Sequence, residues 1–392
     1  MRQLTVRFLR KIIQNTKHMR QIKETFDNGP KKPFNRQARP VIKRHPFAGL
    51  AALGLFAALF FSACGTVERP AKPSATGRAG EMLVVMETMK WEGRAGEYVR
   101  DAFQQLEPMF LQPEPRFDLV QIHPDNFIKM FESHRHIFMA EIDPALQRPT
   151  IEITRDVWSH PQLVVRVKAP SDSILQRVME RNTEAFIDHY VAVERERLIN
   201  AYRRMTNQEA RLAVRDMFGV NMTVPEGFFP AVKGEDFIWL RRTGTREDLD
   251  LGVLIATLPY RNPDVDFAHE TIQARRDSLT KKYIPGQFPG SYMTTYPELT
   301  PDFREINFNG RYAIEARSLW RVEGDHMGGP FVNYTVVDES TNRVFIIDGF
   351  VYGPKYDKRD YMRQVMAVIY SLEFPESPDE PQTVPEAEAA GL

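Results

Sequence analysis

An α+β fold in two subdomains is what this sequence predicts, and three observations carry the prediction. Short apolar runs bounded by turn residues recur along the chain, as buried strands require. Between them lie stripes of apolar residues at helical spacing. Late in the chain three strand-like runs follow one another quickly and are bracketed by helices, which indicates an antiparallel meander sheet covered by helices. The expected division is 81–219 for the first α+β subdomain and 220–374 for the second.

Met82-Leu83-Val84-Val85-Met86 reads as a buried strand, followed by a turn at Trp91-Glu92-Gly93. Tyr98, Val99, Ala102, Phe103 and Leu106 then recur at helical spacing, and Pro108 closes that helix. Phe117 to Ile122 reads as a strand, Asp125 to Phe131 as a short helix and Ile137 to Ile142 as a second buried strand. Two further strands are expected at Thr150 to Thr154, where Ile151 and Ile153 alternate, and at Leu163 to Val167. The longest helical pattern runs from about Ser171 to Met205, with Leu175, Val178, Met179, Phe186, Tyr190 and Val193 as its stripe. Thr206-Asn207-Gln208-Glu209 reads as a capping box opening a helix that ends at Gly219.

The second half opens with a turn at Val224-Pro225-Glu226-Gly227, then strands at Phe237 to Arg241 and Gly252 to Leu258. Asp266 is the expected cap of a helix burying Ala268, Ile272, Leu279 and Tyr283, and prolines 285, 289, 297 and 301 punctuate a loop-rich stretch. From Gly310 to Val322 one face carries Tyr312, Ile314, Ala316, Ser318, Trp320 and Val322, with Arg317 and Arg321 on the other. Phe331 to Asp338 and Arg343 to Tyr352 form a hairpin, and Asp357 caps a last helix with Tyr361, Val365, Val368 and Leu372 inward. The pattern gives this sheet helical cover on one face.

Charge separates the chain into unlike parts. Of 392 residues, 52 are Lys or Arg and 52 are Asp or Glu, but residues 1–45 hold 13 basic and 2 acidic residues. Residues 46–63 hold none, so the remainder carries 39 basic against 50 acidic, a net of −11. An acidic body argues against nucleic acid as partner, because phosphate binding needs a basic face.

Phe47 to Ala63 is an uncharged run of 17 residues behind Lys43-Arg44. Together they read as a signal peptide within a leader over 1–63. The single cysteine of the chain follows at once: Phe61-Ser62-Ala63-Cys64 looks like the lipobox of bacterial lipoproteins, with Phe61 where Leu is usual. Acylation of Cys64, with palmitate among the chains, would anchor the protein to a membrane; an uncleaved anchor helix is the alternative. Residues 64–80 read as a tether rich in Pro, Gly and small residues, and 375–392, with four Pro and five acids, as a disordered acidic tail.

Motifs for common chemistries are missing: there is no Gly-x-Ser-x-Gly, no Gly-rich phosphate loop and no Cys-x-x-Cys. His269-Glu270-Thr271-Ile272-Gln273 places Gln273 where a second zinc ligand would be needed. His134 and His136 could turn two imidazoles to one side of a strand near Glu132, or sit exposed in a turn leading into the strand Ile137 to Ile142. Arg276-Asp277 lies on a helix, either on its exposed surface or in separate salt bridges, or with one of the two lining a cleft. Asp325-His326-Met327-Gly328-Gly329-Pro330 is either a tight connection or a ligand-facing loop, its two glycines free to take positive φ. Trp239 and Trp320 read as core residues rather than stacking platforms. No metal site and no cofactor are expected.

Taken together, several of these pieces resemble the domain of unknown function 4837 family, lipoproteins of the Bacteroidetes phylum. They are Met82–Met86, Trp91-Glu92-Gly93 and His134-Arg135 in the first half. In the second half they are Arg276-Asp277, Tyr283-Ile284-Pro285-Gly286, Trp320-Arg321, Met327-Gly328-Gly329-Pro330-Phe331 and Lys358-Arg359. The resemblance implies an envelope lipoprotein and no activity. Separately, the order strand, strand, helix, meander, helix in 224–374 is similar to photosystem-associated and Ran-binding Mog1-like domains, an analogy of fold alone.

The expectation is therefore a membrane-tethered cell-envelope lipoprotein, placed at the outer membrane, that binds another envelope protein or component without catalysis. Its candidate binding residues are Arg276, Asp277, His326, Gly328, Gly329, Lys358 and Arg359. An envelope hydrolase using Arg276, Asp277 and His326 is the alternative, and convergence of those side chains in one pocket separates the two.

Overall fold

The computed structural model describes residues 72–108, 110–244 and 248–375. Cys64, the leader, the tether as far as residue 71 and the tail from residue 376 lie outside the described residues.

Five strands make the first sheet: β1 (Glu81–Val85), β2 (Asp118–Ile122), β3 (His136–Ile142), β4 (Thr150–Arg155) and β5 (Leu163–Ala169). Their spatial order is β2-β1-β3-β5-β4, parallel throughout except for the antiparallel edge strand β4. Parallel neighbours need crossovers, and the intervening segments supply them. Helices α1 (Thr88–Glu92) and α2 (Arg94–Phe103) join β1 to β2; a 3₁₀ turn (Pro124–Asn126) and α3 (Lys129–Glu132) join β2 to β3. Both faces of the sheet are covered, which is why Met82 to Val85 is buried without alternation.

Two local expectations change here. Trp91 and Glu92 close helix α1 rather than forming a turn. The helix expected over Asp125 to Phe131 splits into the 3₁₀ turn and α3. On the edge strand β4, Ile151 and Ile153 face outward, 42% and 41% exposed.

The 32-residue helix α4 (Asp172–Arg203) starts where Ser171 Oγ accepts from the Ile174 N–H. Leu175, Val178, Met179, Phe186 and Tyr190 press it onto the first sheet. In α5 (Gln208–Phe218) the cap is Asn207, whose Oδ1 accepts from Ala210 N–H at 3.1 Å. The Thr206 hydroxyl instead donates back to the Tyr202 carbonyl. Gly219, at φ 75°, ends the helix in the left-handed region that glycine tolerates. Although the expected division falls after residue 219, α5 buries Ala210, Val214 and Phe218 in the core of the sheet that follows.

That second sheet is antiparallel throughout. Its strands are β6 (Phe229–Lys233), β7 (Phe237–Thr243), β8 (Asp250–Pro259), β9 (Tyr292–Thr295), β10 (Asp302–Phe308), β11 (Arg311–Glu323), β12 (Gly328–Asp338) and β13 (Arg343–Tyr352). The order is β10-β11-β12-β13-β8-β7-β6, with β9 continuing the line of β10 along the same edge of β11. Strand β9 lies in the stretch expected to be loop-rich, and the pattern predicts no strand at β6 or β10. Proline hid them: Pro230 sits at a register shift in edge strand β6, and Pro297 and Pro301 lie between β9 and β10.

The helices of this half are α6 (Pro263–Asp266), α7 (His269–Tyr283) and α8 (Arg359–Tyr370). They and α5 cover both faces of the sheet, where one covered face was expected. Helices α5 and α8 pack on the side of Val253, Tyr334 and Ile347, while α7 leads into the cluster of Trp239, Trp320 and Phe350 on the other. Gly349 lets α8 approach β13, because a Cβ there would lie 2.4 Å from Val365 Cγ1.

Neither expected aspartate caps its helix. Asp266 ends α6, buried, and accepts from the Arg261 and Asn262 N–H groups and from Arg275. Asp357 likewise does not cap α8; the carboxylate of Glu114, from the first subdomain, accepts from the N–H groups of Lys358 and Arg359. No described helix is long and apolar enough to cross a membrane.

Candidate functional site

Arg276 is buried on the inner side of α7. Its Nε lies 2.7 Å from Asp348 Oδ2 on β13 and its Nη2 3.4 Å from Oδ1. The guanidinium also rests 3.5 Å over the Phe331 ring and donates through Nη1 to Thr295 Oγ1 at 3.2 Å. Asn333 Nδ2 donates to Asp348 Oδ2 at 3.2 Å. Burial pushes the Asp348 carboxyl above its usual range, and the Arg276 guanidinium and the Asn333 amide oppose that push.

Adjacent residues on a helix point to different sides, yet Arg276 and Asp277 meet at one residue because the arginine is long. Asp277 Oδ1 accepts from both the N–H and the hydroxyl of Thr295 at 2.7 Å. The pair fastens α7 to β9 and β13, so its polar atoms hold scaffold.

The remaining predicted residues lie elsewhere. His326 is exposed in the β11–β12 connection, its backbone N–H donating to Asp325 Oδ1 at 2.6 Å. Gly328 and Gly329 are the first residues of β12 and neither has positive φ; the left-handed residue of this connection is Gly324, at φ 81°. Gly329 is required by close approach, since a Cβ there would stand 2.1 Å from the Val351 carbonyl oxygen. Lys358 and Arg359 join the two subdomains: Lys358 Nζ donates to Gln112 Oε1 and Arg359 donates to the Pro115 carbonyl and to Asp118. Arg276, Asp277 and His326 do not form one reacting centre.

What the fold does assemble is a pocket of about 490 Å³ beside the exit of α7. This size falls within the roughly 300–1,000 Å³ of small-ligand sites. Ile284, Pro285 and Gly286 form one wall, held by Tyr283 stacked on Phe237 at 4.0 Å. Strand β9 gives Met293, β11 gives Trp320 and Val322, and Met327 closes that side. From the opposite side come Trp239 and Arg241 of β7 with Phe350 and Tyr352 of β13. Arg276 supports the floor, its Nη2 lying 4.0 Å from Met293 Sδ.

The indole N–H groups of Trp239 and Trp320 are buried and have no hydrogen-bond partner among the described residues. At the mouth Arg241 forks onto Asp250, with Nη2 to Oδ2 at 2.7 Å and Nε to Oδ1 at 3.3 Å. The sequence reading placed both tryptophans in the core, and they are buried; it had no means of seeing that they also wall a cavity. The available signals were Ile284-Pro285-Gly286 leaving a helix and Met327 beside paired glycines.

The histidines of the first subdomain make no metal site. His136 is fully buried, its Nε2 lying 3.0 Å from Glu194 Oε2, while Arg135 takes Oε1 at 2.7 Å. His134 turns to a different carboxylate, Glu81, at 3.0 Å. Among the described residues no group of three or more potential ligands gathers.

Burial pulls His136 down to about 4, against which the Glu194 carboxylate pushes up. With its Nδ1 unpartnered, the ring is neutral and donates from Nε2. The unfolded chain takes up this proton near pH 6.5, the folded chain only near pH 4. Stability from this group is therefore full above the unfolded value and lost as pH falls through that window, by up to about 1 kcal/mol per pH unit. Urea midpoints at falling pH should show the loss, and His136→Gln should flatten it; an unchanged slope in the variant would remove His136 as the cause.

Residues 206–371 match the model of the family described as domain of unknown function (DUF4837), and residues 75–203 match that of a second, domain of unknown function (DUF8532). The match over residues 206–371 is consistent with the family resemblance read from the sequence. The first-half motifs of the sequence resemblance fall in the segment matched by the second model. No curated protein matches the chain.

Among solved structures, cyanobacterial PsbP (CyanoP) from Synechocystis is similar at 13% identity and a TM-score of 0.27, over 43% of this chain and 90% of that one. The Ran-binding protein Mog1p of Saccharomyces cerevisiae is similar at 10% and 0.26, over 40% and 92%.

Proposed function

We propose that this chain is a lipid-tethered protein of the cell envelope, anchored through Cys64 at the outer membrane, whose C-terminal subdomain is a binding module. One observation carries the binding part of the reading. Ile284-Pro285-Gly286, Trp320 and Met327, far apart in sequence, meet in one largely apolar pocket, whereas Arg276 and Asp277 are engaged in the scaffold and His326 stands exposed away from them. The anchor rests on Phe61-Ser62-Ala63-Cys64 behind a basic and then apolar leader. Several buried acyl chains, at about 0.8 kcal/mol per CH₂, hold a protein at a bilayer durably.

Two measurements test the two parts. A fatty-acid analogue should label the wild type and leave Cys64→Ala unlabelled, and an unlabelled full-length wild type would refute the anchor. For binding, envelope components crosslinked to the wild type should be lost when Met327→Trp fills the pocket. An identical crosslinked set in both would remove the pocket as the binding site.

A further inference from the structure

We infer that the pocket of the C-terminal subdomain takes an organic cation, an ammonium or guanidinium group on a short apolar stem, held against aromatic faces and an acidic mouth. The inference rests on the binding reading above and names its ligand class.

The aromatic walls are contiguous. Ring centroids lie 6.3 Å apart for Trp239 and Phe350, 5.5 Å for Trp320 and Phe350, and 6.3 Å for Trp320 and Tyr352. Aromatic faces carry the negative part of the ring quadrupole, and tryptophan attracts cations most strongly. The chain already uses this chemistry at the pocket edge: the Arg241 guanidinium stands 5.4 Å from the Trp239 ring centre.

The mouth is acidic beyond its own needs. Asp250 is matched by Arg241 and Asp248 by Lys355. Asp325 accepts from the backbone N–H groups of Gln287, which lines the pocket, and His326. No cationic side chain forms an ion pair with it among the described residues. Burial raises the Tyr352 hydroxyl above its usual range, and Asp248, Asp325 and Asp250 add to the rise, as a negative potential at the mouth requires. An anion would meet the carboxylates of Asp248 and Asp250, with Asp325 beside the lining residue Gln287; a neutral apolar ligand would leave Asp325 uncompensated.

The shared chemistry has two sources, a free ammonium compound or the Lys or Arg side chain of a peptide. Choline, its uncharged tert-butyl analogue, acetate and an Ala-Arg-Ala tripeptide should be titrated into the purified full-length protein, read by tryptophan fluorescence and indole N–H shifts. A cation should bind about 5- to 30-fold more tightly than the uncharged analogue, the range a desolvated cation–π contact provides. The exposed-side variant Asp325→Asn should weaken cation binding about threefold and leave the analogue unchanged. Tyr352→Leu should weaken the cation more than the analogue.

Tighter binding of the tripeptide points to a protein or peptide side chain, tighter binding of choline to a free ammonium compound, and either supports the inference. Equal affinity for choline and its analogue, or indifference to Asp325→Asn, overturns it. Binding of the analogue or acetate alone overturns the cation but keeps the pocket as a binding site. Silence of all four probes counts against both.

Discussion

Arg276→Met is expected to cost about 3–5 kcal/mol of stability, the loss seen when one partner of a buried ion pair is removed. The reason is Asp348, which stands in the middle of β13 opposite Asn333 of β12 and 1% exposed. Without the guanidinium, only Asn333 remains to hydrogen-bond a carboxylate that burial already disfavours. The variant should hold that carboxyl protonated, so its residual stability falls as pH rises through the raised value.

The double variant Arg276→Met/Asp348→Leu should recover most of the loss, because well-packed apolar residues replace a buried pair at little cost. Urea midpoints of the four forms provide the cycle. A single-variant loss below about 1 kcal/mol would show that the pair does not hold α7 in place. The pocket depends on the same contact, since Arg276 also meets Met293 and Thr295 on β9.

The second large effect is expected at the junction of the subdomains. Glu114→Ala should destabilise the chain by about 2–3 kcal/mol, because its carboxylate caps α8 with charge-assisted bonds. Lys358 N lies 2.7 and 2.9 Å from its two oxygens, and Arg359 N lies 2.7 Å from one of them. Around this cap Arg363 Nη2 donates to the Arg116 carbonyl at 2.6 Å and to Glu107 at 3.2 Å.

Every one of these contacts crosses from the segment between Glu107 and Asp118 to the start of α8. Hydrogen exchange at residues 358–363 should therefore accelerate in Glu114→Ala, and unfolding of the two halves should cease to coincide. Glu114→Gln, which keeps an acceptor without the charge, should recover part of the loss. Unchanged exchange in the alanine variant would mean that α8 needs no cap from the first subdomain.

Much of the element order was readable from periodicity. Strand β1, helix α4 and the run β11 to β13 stand close to where alternation and helical spacing place them, because each presents a continuous apolar face. Edge strands escaped for the opposite reason. Along β6 and β10 the side chains are mostly half-buried or exposed, and prolines interrupt or flank them. The cap of α8 escaped through distance: the group that serves it is 244 residues away.

Likewise, of the readings open for Arg276-Asp277, the exposed surface fails for Arg276, which is buried and paired, and only the partners Asp348 and Thr295 reveal a fastening. The sequence by itself determined the two mixed subdomains, the acidic body and the expectation of an anchor at Cys64, because composition and periodicity are local properties. Tertiary structure alone decided that the first sheet is parallel but for its edge strand, that helices cover both faces of the second, and that Trp239, Trp320 and Tyr352 surround a cavity. Those outcomes depend on which distant residues share a surface, and burial and partnership are made between segments, not within them.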